Sequence, residues 1–250
     1  MIDGFLMLTP ILLLAIIALL GFVGCYQVVT LVPASLTHEK TTVKSAPAGT
    51  QTATADALTL LGGEFIVVAV QWSSAVSGPD MPSLSEASLG LIFSTFSGGG
   101  PFTWNNMSVQ TFTALNPLSN TQFKVTASLL RPSTVPWNLC VSAYAGVEAS
   151  APLFSPQTKI SAGPNLQTPA INIASGDLIY AVAFAANSDG TFPGNSLSAG
   201  TGFAAEFPQI TNPLVEDGGG DGLVTPQATN ANKDPNATGF MFAMGLKSEG

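Results

Sequence analysis

The sequence predicts an all-β fold, an antiparallel two-sheet sandwich, behind one N-terminal transmembrane helix. Three observations predict it. After residue 57, short runs rich in apolar and β-branched residues recur at hairpin spacing. Charged residues make up 9% of the chain, while 25 Gly and 18 Pro supply turns; a typical soluble protein is about 25% charged. No charge occurs between Asp3 and His38, where a long apolar run lies.

That run, Ile11 to Val32, is almost wholly apolar. Its length of roughly 33 Å as a helix, at about 1.5 Å per residue, covers a hydrocarbon core of about 30 Å. Pro10 suits a helix start, where its missing N–H costs little. Residues 1 to 4 (MIDG) lack the Lys or Arg of a cleavable secretory signal. The quartet Phe22-Val23-Gly24-Cys25 is similar to a bacterial lipobox, with Phe22 where Leu is usual. Cys25 is therefore a candidate for lipidation; the alternative is a small apolar helix residue. The lipid bilayer is thus an expected partner through residues 11–32, and the expected location is a cell membrane crossed once. Lys40 and Lys44 follow the helix and by the positive-inside rule favour a cytoplasmic domain. The charge-poor composition, rich in Thr, Ser and Asn, suits an exported one, and the reading adopted is extracytoplasmic.

Residues 33–57 (PASLTHEKTTVKSAPAGTQTATADA) show no hydrophobic period. Such a segment reads as a flexible stalk. His38, the single histidine, falls within it. The chain then divides into an anchor (1–32), a stalk (33–57) and a β domain (58–250).

Within the domain, Phe65 to Trp72 (FIVVAVQW) is a continuous apolar run expected as a central strand. Leu89 to Phe96, Met107 to Leu115, Thr121 to Leu129 and Trp137 to Tyr144 read as further strands. Leu178 to Ala185 is a second buried run, and Gly239 to Leu246 closes the domain. Glycine-rich turns separate them, among them Ser97 to Pro101 and Glu216 to Gly222. About ten strands at this spacing suit a jelly-roll-like sandwich, with a closed barrel as the alternative.

Several segments, in order, carry a resemblance. They are Gly63-Glu64 before FIVVAV, Tyr144-Ala145-Gly146-Val147, Ser175-Gly176-Asp177-Leu178, Ala199-Gly200-Thr201-Gly202-Phe203, and Phe242 to Lys247. Together the pattern resembles a β-sandwich module of exported bacterial hypothetical proteins. Ala143 replaces the acid usual before the aromatic, and Glu64 stands where Asp is common. The resemblance covers roughly Gly62 to Lys247. It implies a concanavalin-like or jelly-roll sandwich and no established activity.

The net charge of −8 and the scattered Lys124, Arg131, Lys159, Lys233 and Lys247 provide no basic patch, which excludes nucleic acid as a partner. With His38 assigned to the stalk, the domain has no histidine for nucleophilic triads or zinc. Cys140 has no basic neighbour in sequence and reads as an inert core thiol. Glycoside hydrolysis needs two carboxylates, and Glu64, Glu86, Glu148 and Glu206 are the candidates. Glu216, Asp217 and Asp221 crowd a glycine-rich stretch and form a candidate calcium loop, against the alternative of a solvated loop tip. No other cofactor is expected. Trp72 and Trp137 follow core patterns, whereas Trp104, beside a glycine turn, is the candidate sugar platform.

These readings leave three functions open. The first is a membrane-anchored, non-catalytic surface module binding glycan or another surface protein. The second is a structural subunit packing into a cell-surface layer or complex. The third is a two-carboxylate glycoside hydrolase.

Overall fold

A computed structural model describes residues 35–73, 81–104, 107–116, 118–187, 196–209, 212–231, 234 and 236–250. The expected membrane span 11–32, with Cys25, lies outside the described residues. Among the described residues, no helix is long and apolar enough to cross a membrane. All named elements there are strands.

The first ten are β1 (Thr37–Ala46), β2 (Thr52–Thr54), β3 (Leu58–Leu60), β4 (Phe65–Ser73), β5 (Ser83–Glu86), β6 (Phe102–Trp104), β7 (Met107–Leu115), β8 (Asn120–Phe123), β9 (Val125–Ser128) and β10 (Trp137–Ala145). The next ten are β11 (Leu153–Ala162), β12 (Asn165–Gln167), β13 (Ile171–Ile173), β14 (Leu178–Ala186), β15 (Leu197–Ala199), β16 (Ala204–Ala205), β17 (Leu214–Gly219), β18 (Gly222–Val224), β19 (Gln227–Asn230) and β20 (Thr238–Leu246).

The pairings nest. β1 pairs with β10, β2 with β9, β3 with β8 and β4 with β7, all antiparallel. This is one long hairpin folded over, the jelly-roll wrap, and the β4–β10 pairing closes it. The same scheme recurs ten strands later: β11 with β20, β12 with β19, β13 with β18, β14 with β17, and β14 with β20. The chain is therefore two jelly rolls in tandem. Each contributes a five-stranded sheet, ordered β1-β10-β4-β7-β6 and β11-β20-β14-β17-β16.

The apolar runs show how the layers stack. In β4, Phe65, Val67 and Ala69 join a core shared with Tyr180, Val182, Phe184, Phe240 and Phe242 of the second half. The alternate residues Ile66, Val68 and Val70 face Ala53, Leu58, Phe123 and Val125 of the first half's outer strands. In β14, Ile179, Ala181 and Ala183 turn outward to Leu166, Ile171 and Ala228. The two five-stranded sheets thus pack face to face, each covered outside by its own small sheets. A strand buried on both faces has no polar alternation to show, which is why FIVVAVQW and LIYAVAFA read as unbroken apolar runs.

Three expectations are corrected. The antiparallel two-sheet, jelly-roll-like character holds, but the wrap occurs twice in tandem, each copy supplying one of the two large sheets. The stretch read as a stalk contains β1, β2 and the bend between them, so Thr37–Ala46 is an ordered edge strand. Its polarity reflects its position: Val43 is buried while Glu39, Lys40 and Lys44 stay outside, and charges on an edge strand block further pairing. Leu89 to Phe96 is not a strand; it makes a single bridge, Ser94 to Thr113, and lays Leu89, Leu91 and Phe93 against the first half's outer core.

Phe240 is fully buried at the centre of the shared core. Its ring stacks on Trp104 at 4.9 Å and lies 5.6 Å from Phe102 and 6.4 Å from Phe184. Phe240→Ala should cost about 3–5 kcal/mol of stability, read by denaturant unfolding. Leu61→Ala, at a residue 77% exposed, should change it by less than about 0.5 kcal/mol.

Candidate functional site

The edge strand β1 brings His38 into the folded body. A bulge at Glu39, where His38 pairs with Tyr144 and Lys40 with Ala143, breaks the alternation and re-aims His38. Its ring meets Tyr144 edge-on at 5.3 Å, and Tyr144 meets Tyr180 edge-on at 6.2 Å. His38 Nε2 lies 2.9 Å from Thr41 Oγ1, which lies 2.8 Å from Ser142 Oγ. His38 Nδ1 lies 2.5 Å from Glu206 Oε2.

Glu206 follows β16 at the edge of the other sheet. Its N–H donates to the Val215 carbonyl at 2.9 Å, which places it beside β17. Alternation along β17 puts Val215 in the shared core and Leu214 in the outer core of the second half. Asp217 therefore points with Val215, toward Glu206 and His38, while Glu216 points the opposite way. Nitrogen and oxygen atoms of His38, Glu206 and Asp217 all lie within 4.8 Å of one another.

The electrostatics follow from crowding. Burial pushes the Asp217 carboxyl up to about 7, reinforced by the Glu206 carboxylate facing it. Burial alone would raise Glu206, but the hydrogen bonds from His38 and Asp217 with the charge of His38 together outweigh it and hold Glu206 below the usual range. Burial pulls His38 down, and the bond to Glu206 with the charges of Glu206 and Asp217 more than reverses this, leaving it raised. On the outer face, burial pushes Glu216 up to about 8, with the charge of Asp217 adding to it and the Gly200 N–H opposing it at 3.4 Å.

The other candidates serve internal contacts. Glu64 is buried and accepts hydrogen bonds from the N–H groups of Leu61 and Gly62 (2.8 Å for the latter) and from Asn116 Nδ2 at 2.9 Å. Glu86 caps its own turn through the N–H groups of Ser88 and Leu89. Glu148 pairs with Lys247 at 2.6 Å. These carboxylates do not gather into an acid–base pair. Trp104 is 5% exposed and stacked in the shared core, so the expected sugar platform is corrected to a core aromatic. Its neighbouring glycine turn looked like a surface signal, but β6 lies under the second half. The expected calcium loop is corrected too: Glu216 and Asp217 lie in β17 on opposite faces, and Asp221 is exposed beyond it. Cys140 is fully buried and burial alone drives its thiol far up, as expected of an inert core thiol.

Sequence reasoning missed His38 because its surroundings are polar and its partners lie far along the chain. The signal that could have found it is the β-branched Thr41-Thr42-Val43 run.

Glu216 sets a pH dependence. Between its ordinary value of 4.5 and its folded value of about 8, the folded state keeps a proton that the unfolded chain releases. Stability is therefore greatest at the acid end of that window and falls as pH rises. Asp217, raised from 3.8 to about 7, and His38, also raised, add loss in the same direction, while Glu206, lowered, opposes it at the acid end. The thermal midpoint should be lower at pH 8.5 than at pH 5.5, and Glu216→Gln should flatten the profile. An unchanged slope in that variant would contradict the assignment.

No protein-family model matches the sequence, and a comparison with curated proteins found no match. Among solved structures the chain is similar to the crystal structure of the major capsid protein P2 from bacteriophage PM2. Identity is 9%, over 86% of this chain and 98% of that one, with a TM-score of 0.27. At that score the backbones overlap too loosely for the likeness to bear on fold or function.

Proposed function

We propose that this chain is a structural subunit that packs side by side with copies of itself into a protein layer, held at a membrane by the apolar stretch 11–32, with the β body on the outer side. The observation that carries the reading is the use made of the chain's chemistry. Glu64 and Glu86 serve turns, Glu148 serves an ion pair, and Trp104 lies in the shared core. Charged residues make up only 9% of the chain, and the cores of protein interfaces are depleted of charge.

The contact surface in this reading is one loop end of the first jelly roll. Leu61, Leu115 and Leu118 are 77%, 45% and 59% exposed. Their loops are tied together by Gly63 N–H to the Asn116 carbonyl at 2.6 Å and Asn116 N–H to the Glu64 carbonyl at 2.8 Å. Three leucines held on a fixed scaffold form an apolar spot that a second copy of the chain would cover.

Full-length protein reconstituted on a lipid bilayer should form close-packed patches by electron microscopy. The pair Leu61→Asp with Leu118→Asp should disperse them without changing the thermal midpoint by more than about 2 °C. Dispersed single particles at every surface density for the unaltered protein would refute the proposal.

A further inference from the structure

We propose that His38, Glu206 and Asp217 form a binding site for a divalent transition cation of the zinc type, which staples the first jelly roll to the second. His38 Nδ1 supplies a nitrogen, and Glu206 and Asp217 each supply a carboxylate oxygen, all within 4.8 Å of one another. A cation with ligand bonds of about 2.0–2.2 Å holds its ligand atoms roughly 3.4 Å apart in tetrahedral geometry. The cluster reaches that spacing by small side-chain shifts, with the His38–Glu206 contact opening from 2.5 Å.

Four observations point to a cation. Asp217 is 8% exposed, and its buried Oδ2 accepts from no N–H or hydroxyl; the carboxyl's hydrogen bond is to the Glu206 carboxylate, which requires Asp217 to hold a proton that a cation would replace. A buried carboxylate oxygen that no donor reaches costs free energy that a cation would recover. His38 already has the outer contact typical of a metal-bound imidazole. Thr41 Oγ1 holds Nε2 at 2.9 Å, and Ser142 Oγ holds Thr41 at 2.8 Å, which fixes the ring and leaves Nδ1 turned to the carboxylates. The donor set is one imidazole with two carboxylates, which suits zinc-like ions and is poor for calcium or magnesium.

The fourth observation comes from the duplication. Register places Leu153, opposite Leu246, where His38 stands opposite Tyr144. Thr113, opposite Val67, stands where Asp217 lies opposite Tyr180. The jelly roll is therefore built at the equivalent positions without any of this chemistry. The cluster is an addition to the fold, not a requirement of it. Its three ligands come from both sheets, β1 on one side and β16–β17 on the other, so an ion there would link the edges where the sandwich is otherwise joined by apolar contact.

The test uses the full-length chain stripped with EDTA. One equivalent of Zn²⁺ should bind by calorimetry and raise the thermal midpoint. Asp217→Asn and His38→Gln should each lose at least about a hundredfold in affinity. Thr41→Ala, which removes the outer contact, should lose about 10–100-fold. Asp221→Asn should bind as the unaltered protein does. Co²⁺ gives a second reading that does not depend on stability. Its visible spectrum in the unaltered protein should be that of a low-coordinate site, and His38→Cys should add a thiolate-to-cobalt charge-transfer band. No saturable Zn²⁺ binding, binding unaffected by Asp217→Asn, or no new band in a folded His38→Cys variant would each overturn the proposal.

Discussion

Burial of the two five-stranded sheets against each other is the constraint around which the molecule is arranged. Phe102, Trp104, Phe184, Phe240 and Phe242 cluster where the sheets meet. Offset and tilted rings of this kind fill the space between pleated faces and add to what their area alone contributes. Because each sheet is also covered on its outer side, its middle strands have no wet face. Burial of every position of β4, and of all but one end residue of β10, β14 and β20, is a consequence of that layering.

The same layering concentrates polar chemistry at the sheet edges. Edge strands such as β1 keep one side free of the core, and there Thr, Lys and Glu are tolerated. Where β1 approaches β16 and β17, polar side chains from both halves meet with little water between them. His38, Glu206 and Asp217 consequently perturb one another, and the directions of their shifts follow from that proximity. The duplication supplies an internal control: the equivalent position holds Leu153 opposite Leu246, packed on the shared core. One copy of the seam is closed by aliphatic side chains and the other by ionisable groups.

Much of the fold was legible. The runs at Phe65, Met107, Trp137, Leu178 and Gly239 were visible because burial and β-branching mark a strand directly. The duplication was not recognised, although its trace is present. Gly63-Glu64 precedes β4 and Gly176-Asp177 precedes β14, and both carboxylates accept backbone N–H bonds at the same turn, Glu64 from Gly62 and Asp177 from Ala174 and Ser248. Short strands of two to four residues in the outer sheets left too little pattern to read. The site was hidden for a different reason. Its residues lie more than 160 positions apart between His38 and Glu206, and only the nesting of one jelly roll against another brings them together. Trp104 misled in the opposite direction, because a glycine turn beside an aromatic signals exposure only when nothing packs over it.

The central claim is that the two jelly rolls share one core and stand or fall together. Native-state hydrogen exchange on the full-length protein tests it most directly. The account predicts that the amides of β4 and β10 and those of β14 and β20 open with a single common free energy, the highest in the molecule. Two separate groups, with one half exchanging through an opening that leaves the other protected, would contradict it.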